Sequence, residues 1–499
     1  MGIKAWLSKP LAGRAAGKVE KWSRSAVSKQ EQIRNSLINK ARKTAFGKDH
    51  DFGNISSYED FKKKVPIRDY EGLKPYIDRV VKGESDVLWP GRPIYFSKTS
   101  GTTSGAKFIP ITKESMPHHT DAAKNALLLY IAETGKAGFV DGKMIFLQGS
   151  PVLEETNGVA TGRLSGIVAH HVPSYLQKNR LPSFETNSIE DWETKVDAIV
   201  DETRDQPMTL ISGIPSWVQH YFEKLIEKTG KTNIREIFPS FSLFVYGGVN
   251  YEPYRPRFEA LIGDRVDSIE TYPASEGFIA FQNEQSDKSL LLNVDAGIFF
   301  EFVPTEEYFK ENPARMKLEQ VETGKNYALI LSTNAGLWGY SIGDTVKFTS
   351  LDPYKIVVTG RIKHFTSSFG EHVIAEEVEG AMNEVLSGIP AEVIEFHVAP
   401  QLNPSEGLPH HEWLVAFNRE PEDMEAFSNR LDKALKARTI YYKDLIKGKI
   451  LRPLQITSLK KDAFNDFMKS KGRLGGQNKV PRLSDNRETA DQLLRWKES

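Results

Sequence analysis

The chain has 499 residues, with 66 basic and 66 acidic side chains, a formal net charge of zero and no cysteine. Its length exceeds what a single core keeps growing to fill, so two or more domains are expected. The charge balance gives no global attraction to nucleic acid or to an anionic membrane, and neither is expected as a partner. The missing cysteine excludes disulfides, thiolate metal sites and cysteine nucleophiles, which leaves a cytoplasmic enzyme as the expectation.

The first segment is basic and carries no acidic residue before Glu20, in the manner of a transit peptide. Trp22, Val27, Ile33, Leu37 and Ala41 recur near helical spacing, however, and predict amphipathic helices packed on the body. Residues 1–90 are expected to be mostly helical, with short amphipathic pieces at 58–64 and 70–81. Further on, helices are predicted at 115–134, 189–204, 215–228 and 255–261. Strands are predicted at 143–148, 208–212, 242–246 and 268–272. That alternation of short apolar runs and longer amphipathic helices is α/β layering. The apolar stretch 290–303, broken by Asn293, Asp295 and Gly297, predicts two buried strands, and strands dominate up to 349. No apolar run approaches the ~20 residues that span a bilayer. Near Gly360 a β-branched strand meets a glycine and two cations, and a domain boundary is expected there. The remainder alternates on a smaller scale, with strands at 392–398, 412–417 and 450–456 and helices at 375–385 and 421–436.

The segment 95–110 concentrates chemistry, because Thr99-Ser100-Gly101-Thr102-Thr103-Ser104-Gly105-Ala106-Lys107 lies between apolar flanks. Glycines let backbone N–H groups approach anionic oxygens, hydroxyls add donors and Lys107 supplies a point charge, which together suit a polyphosphate. It is not a Walker A loop, since the lysine comes two residues after the second glycine and Phe-Ile-Pro follows. Four later segments place polar groups on short turns at strand ends, where α/β folds hold ligands. Gly247-Gly248 suits a flat base lying on the backbone, or is a plain strand-ending turn. In 271–277, Tyr272, Ser275 and Glu276 can stack a base, contact a phosphate and hold Mg²⁺, or Glu276 is a solvated loop acid. Asp344, after a glycine turn at 339–343, can accept hydrogen bonds from two ribose hydroxyls, or is a turn aspartate. Arg361 and Lys363 can reach ribose or phosphate, or form a solvated basic turn.

The order of these pieces decides among the alternatives. Thr99 to Lys107, Tyr272 to Glu276, Tyr340 to Asp344 and Gly360-Arg361 resemble the successive core motifs of the acyl-adenylate-forming superfamily. Within it, Thr44-Ala45-Phe46-Gly47-Lys48-Asp49-His50-Asp51-Phe52, Tyr272-Pro273-Ala274-Ser275-Glu276, Tyr340-Ser341-Ile342-Gly343-Asp344 and Gln477-Asn478-Lys479-Val480-Pro481-Arg482 resemble the Gretchen Hagen family of acyl-acid amido synthetases over essentially the whole chain. The segment from Gly360 to Val373 looks like the bacterial form. The segment from Thr161 to Pro182 has no clear counterpart of the hormone-contacting parts of plant members.

The resemblance implies an α/β fold: a large N-terminal domain of β-sheets flanked by helices, residues 1–360, and a smaller mobile α/β C-terminal domain, residues 361–499. It implies an ATP- and Mg²⁺-dependent monomer that adenylates a small carboxylic acid and transfers the acyl group to an amino acid or other amine. An acyl-CoA synthetase is the alternative. In this reading Thr99, Ser100, Gly101, Thr102, Thr103 and Gly105 hold phosphates, helped by Lys107. Glu276 and Ser275 sit at the metal and phosphates, Gly247, Gly248 and Tyr272 form the adenine slot, and Asp344 and Arg361 take the ribose. Lys363 and Lys479 are the candidates to arrive by domain rotation, with Lys479 favoured for adenylation; otherwise 469–482 is a solvated basic tail. Among the adjacent histidine pairs, which rarely chelate one ion, His119 and His171 are candidates for lining the acyl or amine pocket.

Overall fold

The computed structural model describes residues 2–498 except 100–105, 173–176, 249–250, 252–254, 306, 363–364, 367, 370, 372, 472–479 and 481. The chain opens with helices Ile3–Arg24 and Ala26–Ala41. The first buries Ala5, Ser8, Ala12, Val19 and Trp22 on one stripe, and the second buries Leu37, Ile38 and Ala41. Val27, expected on the buried face, is instead exposed. Helix Tyr58–Lys64 starts at a capping box formed by Ser57 and Asp60, which satisfies orphan N–H groups at both residues. Tyr58 then reaches inward, donating to Glu301, whose carboxylate is held by Arg315 at 2.6 Å in a fully buried pair. This clamp fastens the helical lobe to the sheet.

The strands are β1 (Tyr95–Thr99), β2 (Lys107–Ile111), β3 (Lys143–Leu147), β4 (Glu154–Thr156), β5 (Val159–Gly162), β6 (Arg180–Leu181), β7 (Met208–Gly213), β8 (Leu243–Gly247), β9 (Asp267–Ala274) and β10 (Gly277–Gln282). They continue as β11 (Leu290–Leu292), β12 (Ile298–Pro304), β13 (Asn326–Thr333), β14 (Tyr340–Leu351), β15 (Tyr354–Arg361), β16 (Phe365–Thr366), β17 (Val373–Ile374), β18 (Glu392–Gln401), β19 (His410–Arg419) and β20 (Gln455–Leu459). One sheet of eleven strands runs β12-β13-β14-β15-β11-β10-β9-β8-β7-β3-β6. Its half from β9 to β6 is parallel, with helices Trp192–Thr203, Pro215–Thr229 and Arg255–Ile262 in the connections. The half from β12 to β10 is antiparallel. A second sheet is ordered β2-β1-β5-β4. Towards the C-terminus a three-stranded sheet, β18-β19-β20, packs with helices Ala375–Leu386 and Met424–Arg438 around Val398, Trp413, Val415 and Leu431. Among the described residues no helix is long and apolar enough to cross a membrane.

Most predicted elements form within a residue or two of their expected bounds. The strand expected at 450–456 begins only at Gln455, because Pro453 supplies no ladder donor and the Leu454 N–H is turned to the Tyr442 hydroxyl at 3.2 Å. The helix Ile440–Lys447, not anticipated from sequence, fills the space before it. Tyr340 to Asp344, read as a glycine turn, is the start of β14, with Gly343 at φ +90° allowing the irregular pairing beside it. Likewise β15 runs through Gly360 to Arg361, pairing Gly360 with Thr345 and Arg361 with Asp344.

Candidate nucleotide site

The site is built from strand ends. β1 and β2 form an antiparallel hairpin whose last pair is Thr99 opposite Lys107. That pair fixes the mouth of the hydroxyl-rich loop, while Ser100, Gly101, Thr102, Thr103 and Gly105 themselves lie outside the described residues. At the mouth, the Lys107 ammonium stands 5.6 Å from the Tyr70 ring centroid, and the Tyr70 hydroxyl accepts from the Phe108 N–H at 2.9 Å. Helix Tyr70–Val81 thus braces the base of the hairpin.

β9 and β10 are joined by a two-residue turn made of Ser275 and Glu276. The Ser275 hydroxyl lies 2.7 Å from the Ser97 hydroxyl of β1, which pins the turn to the hairpin. Glu276 is half-buried at this junction. Next in the sheet, β8 ends at Gly247, where a Cβ would meet the Thr271 carbonyl oxygen at 2.4 Å, so only glycine allows β8 and β9 to approach so closely. Gly248 follows at φ +83°, with open space beside it among the described residues.

The Tyr272 hydroxyl donates to Asp344 Oδ2 at 2.5 Å, and both side chains are buried. β9 and β14 stand four places apart in the sheet order, a separation of about 19 Å if the sheet were flat. A tyrosine cannot bridge that distance, so the sheet must curl to bring the two motifs together. The curl therefore brings Asp344 to β9, whose following turn at Ser275 and Glu276 is tied to the hairpin by Ser97. Tyr272, read as a stacking ring, also serves as the hydrogen-bond partner of Asp344.

Among the described residues there is no cluster of three His, Cys, Asp or Glu side chains fit for a metal ion. Mg²⁺ carried on nucleotide phosphates needs only one or two protein carboxylates, and Glu276, next to Ser275 in the turn that Ser97 pins, is a hard oxygen donor of the kind that fits it. Lys363 and Lys479 lie outside the described residues, and the Arg361 backbone lies in β15 opposite Asp344.

The histidine pairs separate as their spacing requires. His410 contacts Arg452 and the Leu408 carbonyl, whereas His411 meets Glu371 at 2.8 Å. His171 Nε2 lies 3.0 Å from the Tyr95 hydroxyl of β1, near the hairpin. His119 is buried on helix Met116–Thr134, its Nδ1 without a partner among the described residues, and burial with the charge of His118 pushes its pKa down to about 4.

Two cations, the first of them beside the hairpin, were not singled out from sequence. Arg163 directly follows β5, whose Gly162 pairs with Ser97. Lys195 is buried and donates to the Gln148 and Asn187 carbonyls at 3.1 and 2.6 Å; burial, with Arg163 nearby, pushes its ammonium down to about 8. Its sequence signal was a lysine on the apolar stripe Trp192, Val196, Ile199, Val200 of its own helix.

Three family models match this chain: the GH3 family N-terminal domain over residues 15–198, the central domain over 291–361 and the C-terminal domain over 374–488. The chain belongs to the GH3 family. Among curated relatives, it is 24% identical to a jasmonoyl–L-amino acid synthetase, GH3.5, of Oryza sativa subsp. japonica, with 86% of this chain and 87% of that protein covered. Among solved structures, a GH3.15 acyl acid amido synthetase superposes with a TM-score of 0.60 at 18% identity, covering 97% of this chain and 96% of the other. A 2-hydroxyisobutyryl-CoA ligase in complex with 2-HIB-AMP and CoA gives a TM-score of 0.59 at 14% identity, covering 95% and 92%. These likenesses establish the acyl-adenylate-forming fold expected from the motifs. The bacterial-type assignment drawn from Gly360 to Val373 is not borne out.

Proposed function

We propose that this GH3 protein is an ATP-dependent acyl-acid amido synthetase. It joins a carboxylic acid to AMP with release of pyrophosphate, then passes the acyl group to an amino acid or other amine with release of AMP. A carboxylate is a poor electrophile because its leaving group would be oxide, and the mixed anhydride removes that obstacle. The observation that carries the reading is the convergence of three motifs, distant in sequence, through the Ser97–Ser275 and Tyr272–Asp344 hydrogen bonds. A relative named as a jasmonoyl–L-amino acid synthetase supports the same chemistry.

In this reading the adenine ring lies on the backbone at the end of β8, where Gly248 has open space beside it among the described residues and Gly247 packs on β9. Asp344, oriented by Tyr272, accepts from the ribose hydroxyls, with Arg361 alongside it in register. Thr99, Ser100, Gly101, Thr102, Thr103 and Gly105 wrap the outer phosphates, Ser275 adds a donor and Lys107 lowers their charge. Glu276 would hold Mg²⁺, which when bound would offset charge on the phosphates. Residues 361–499 form a mobile C-terminal domain that turns about the segment near Gly360 and presents Lys479, with Lys363, to the developing charge. The reaction takes place in the cytoplasm, and the protein acts as a monomer.

The test is a pyrophosphate-release screen of carboxylic acids against the twenty amino acids with ATP and Mg²⁺. Release that requires an acid, and turnover that requires an amino acid, is the expected result. Glu276→Gln should lower it by roughly 10²–10³-fold. Turnover that responds to CoA but not to any amino acid would sink the amide-ligase assignment.

A further inference from the structure

The outward face of the first helix takes no part in the proposed reaction. Opposite its buried stripe, Ile3, Trp6, Leu7 and Leu11 are 79%, 68%, 50% and 52% exposed. Their spacing places them on one side of the helix through its first turns. No other described stretch exposes four large apolar side chains so close together in sequence.

The same helix carries Lys4, Lys9, Arg14, Lys18 and Lys21, all exposed. None of these five forms an ion pair among the described residues, and the first acid, Glu20, is paired with Arg24 at 2.6 Å. A helix of this kind, with exposed apolar anchors including a tryptophan and an unneutralised cationic flank, fits the interface of an anionic bilayer. An apolar protein groove would match the stripe but leave the cations unanswered. Nucleic acid would match the cations but leave the stripe in water.

The helix is also fixed in place rather than trailing. Its inner stripe packs on helix Met116–Thr134, and Asp141 accepts from the N–H groups of Gly2 and Ala5 at 2.7 and 3.2 Å, capping the N-terminus. The apolar residues are therefore displayed outward without any unfolding.

We propose that the helix Ile3–Arg24 docks the folded protein reversibly onto an anionic lipid surface, with Trp6, Leu7, Ile3 and Leu11 entering the interface and Lys4, Lys9, Arg14, Lys18 and Lys21 meeting lipid headgroups. The zero net charge of the chain does not oppose this, because attraction to a membrane falls off within a Debye length and depends on the local patch.

The experiment is co-sedimentation of the full chain with phosphatidylcholine vesicles, with and without phosphatidylglycerol. It is repeated with the double variant Trp6→Ser/Leu7→Ser, the double variant Lys9→Gln/Arg14→Gln, and at raised salt. Binding to the anionic vesicles is expected. Each double variant should weaken it by roughly tenfold or more, and so should a rise in salt from about 50 to about 500 mM, with Tm and pyrophosphate release unchanged. The proposal is overturned if the wild-type chain stays in the supernatant with anionic vesicles, or if Trp6→Ser/Leu7→Ser binds them equally well. It is also overturned if the apolar face instead drives self-association of the chain with no vesicle binding, which sedimentation velocity would reveal.

Discussion

Single side chains in this protein are set by their partners. Asp344 is positioned by the Tyr272 hydroxyl, and Ser275 by Ser97, so two of the residues proposed to touch nucleotide are oriented by neighbours from other strands. His119 shows the reverse case, a titratable group buried with a nitrogen that has no partner among the described residues. Its folded pKa of about 4 lies below the unfolded value of about 6.5, so between these values the unfolded state binds the extra proton. The stability linked to His119 is therefore fully present above pH ~6.5 and is lost as pH falls towards ~4, at up to about 1.4 kcal/mol per pH unit. His119→Gln should flatten the fall in Tm over that window; an unchanged slope would show that the acid sensitivity lies elsewhere.

At the scale of elements, the proposed site depends on the β1–β2 hairpin being held against the β9–β10 turn. The hydroxyl pair Ser97–Ser275 is the described side-chain bond between them, and β5 supports β1 from its other edge. Ser97→Ala should cost about 1 kcal/mol of stability, the ordinary worth of a hydrogen bond. The larger expected effect is on ATP, whose KM should rise by roughly tenfold because the hairpin mouth is no longer registered on the turn that carries Glu276. Isothermal denaturation and initial-rate kinetics separate these two outcomes. An ATP KM equal to that of the parent protein would mean that backbone pairing alone positions the hairpin.

Across the whole molecule, helix Ile440–Lys447 and the residues just after it dock against the N-terminal region through polar contacts. Arg163 meets Asp444 at 3.1 Å and lies 4.8 Å from the Tyr441 ring centroid; Lys447 meets Asp191 at 3.1 Å, and Lys449 meets Glu193 at 2.9 Å. Partly exposed pairs of this kind are worth about 0.2–1 kcal/mol each, a small part of an interface that also buries apolar side chains from both regions in one cluster. Under the proposed rotation of residues 361–499, Asp444→Ala should shift the balance between docked and undocked arrangements. The adenylation and acyl-transfer half-reactions, measured by single turnover, are expected to change relative to each other by several-fold with Tm unaffected. Equal changes in both half-reactions would indicate that this contact does not distinguish the two states.

Local information was sufficient for much of this protein. The helical periodicity of the first ninety residues, the α/β alternation from β3 to β9 and the succession of polar motifs are all short-range patterns, readable because each depends on residues a few positions apart. The same patterns fail where the cause is distant. The start of β20 is set by Tyr442 and Pro453, and the turn expected before Asp344 is absorbed into β14 by pairing with β13 and β15. Lys195 and Arg163 gain significance only from what the fold packs around them. The sequence by itself determined the order of the polar motifs, on which the proposed phosphate, base and metal donors rest. Only the tertiary structure decided that Tyr272 meets Asp344 and Ser97 meets Ser275. Those meetings depend on how a long sheet curls and on which strands lie side by side, and the energy that fixes both is the burial of a core contributed by segments hundreds of residues apart.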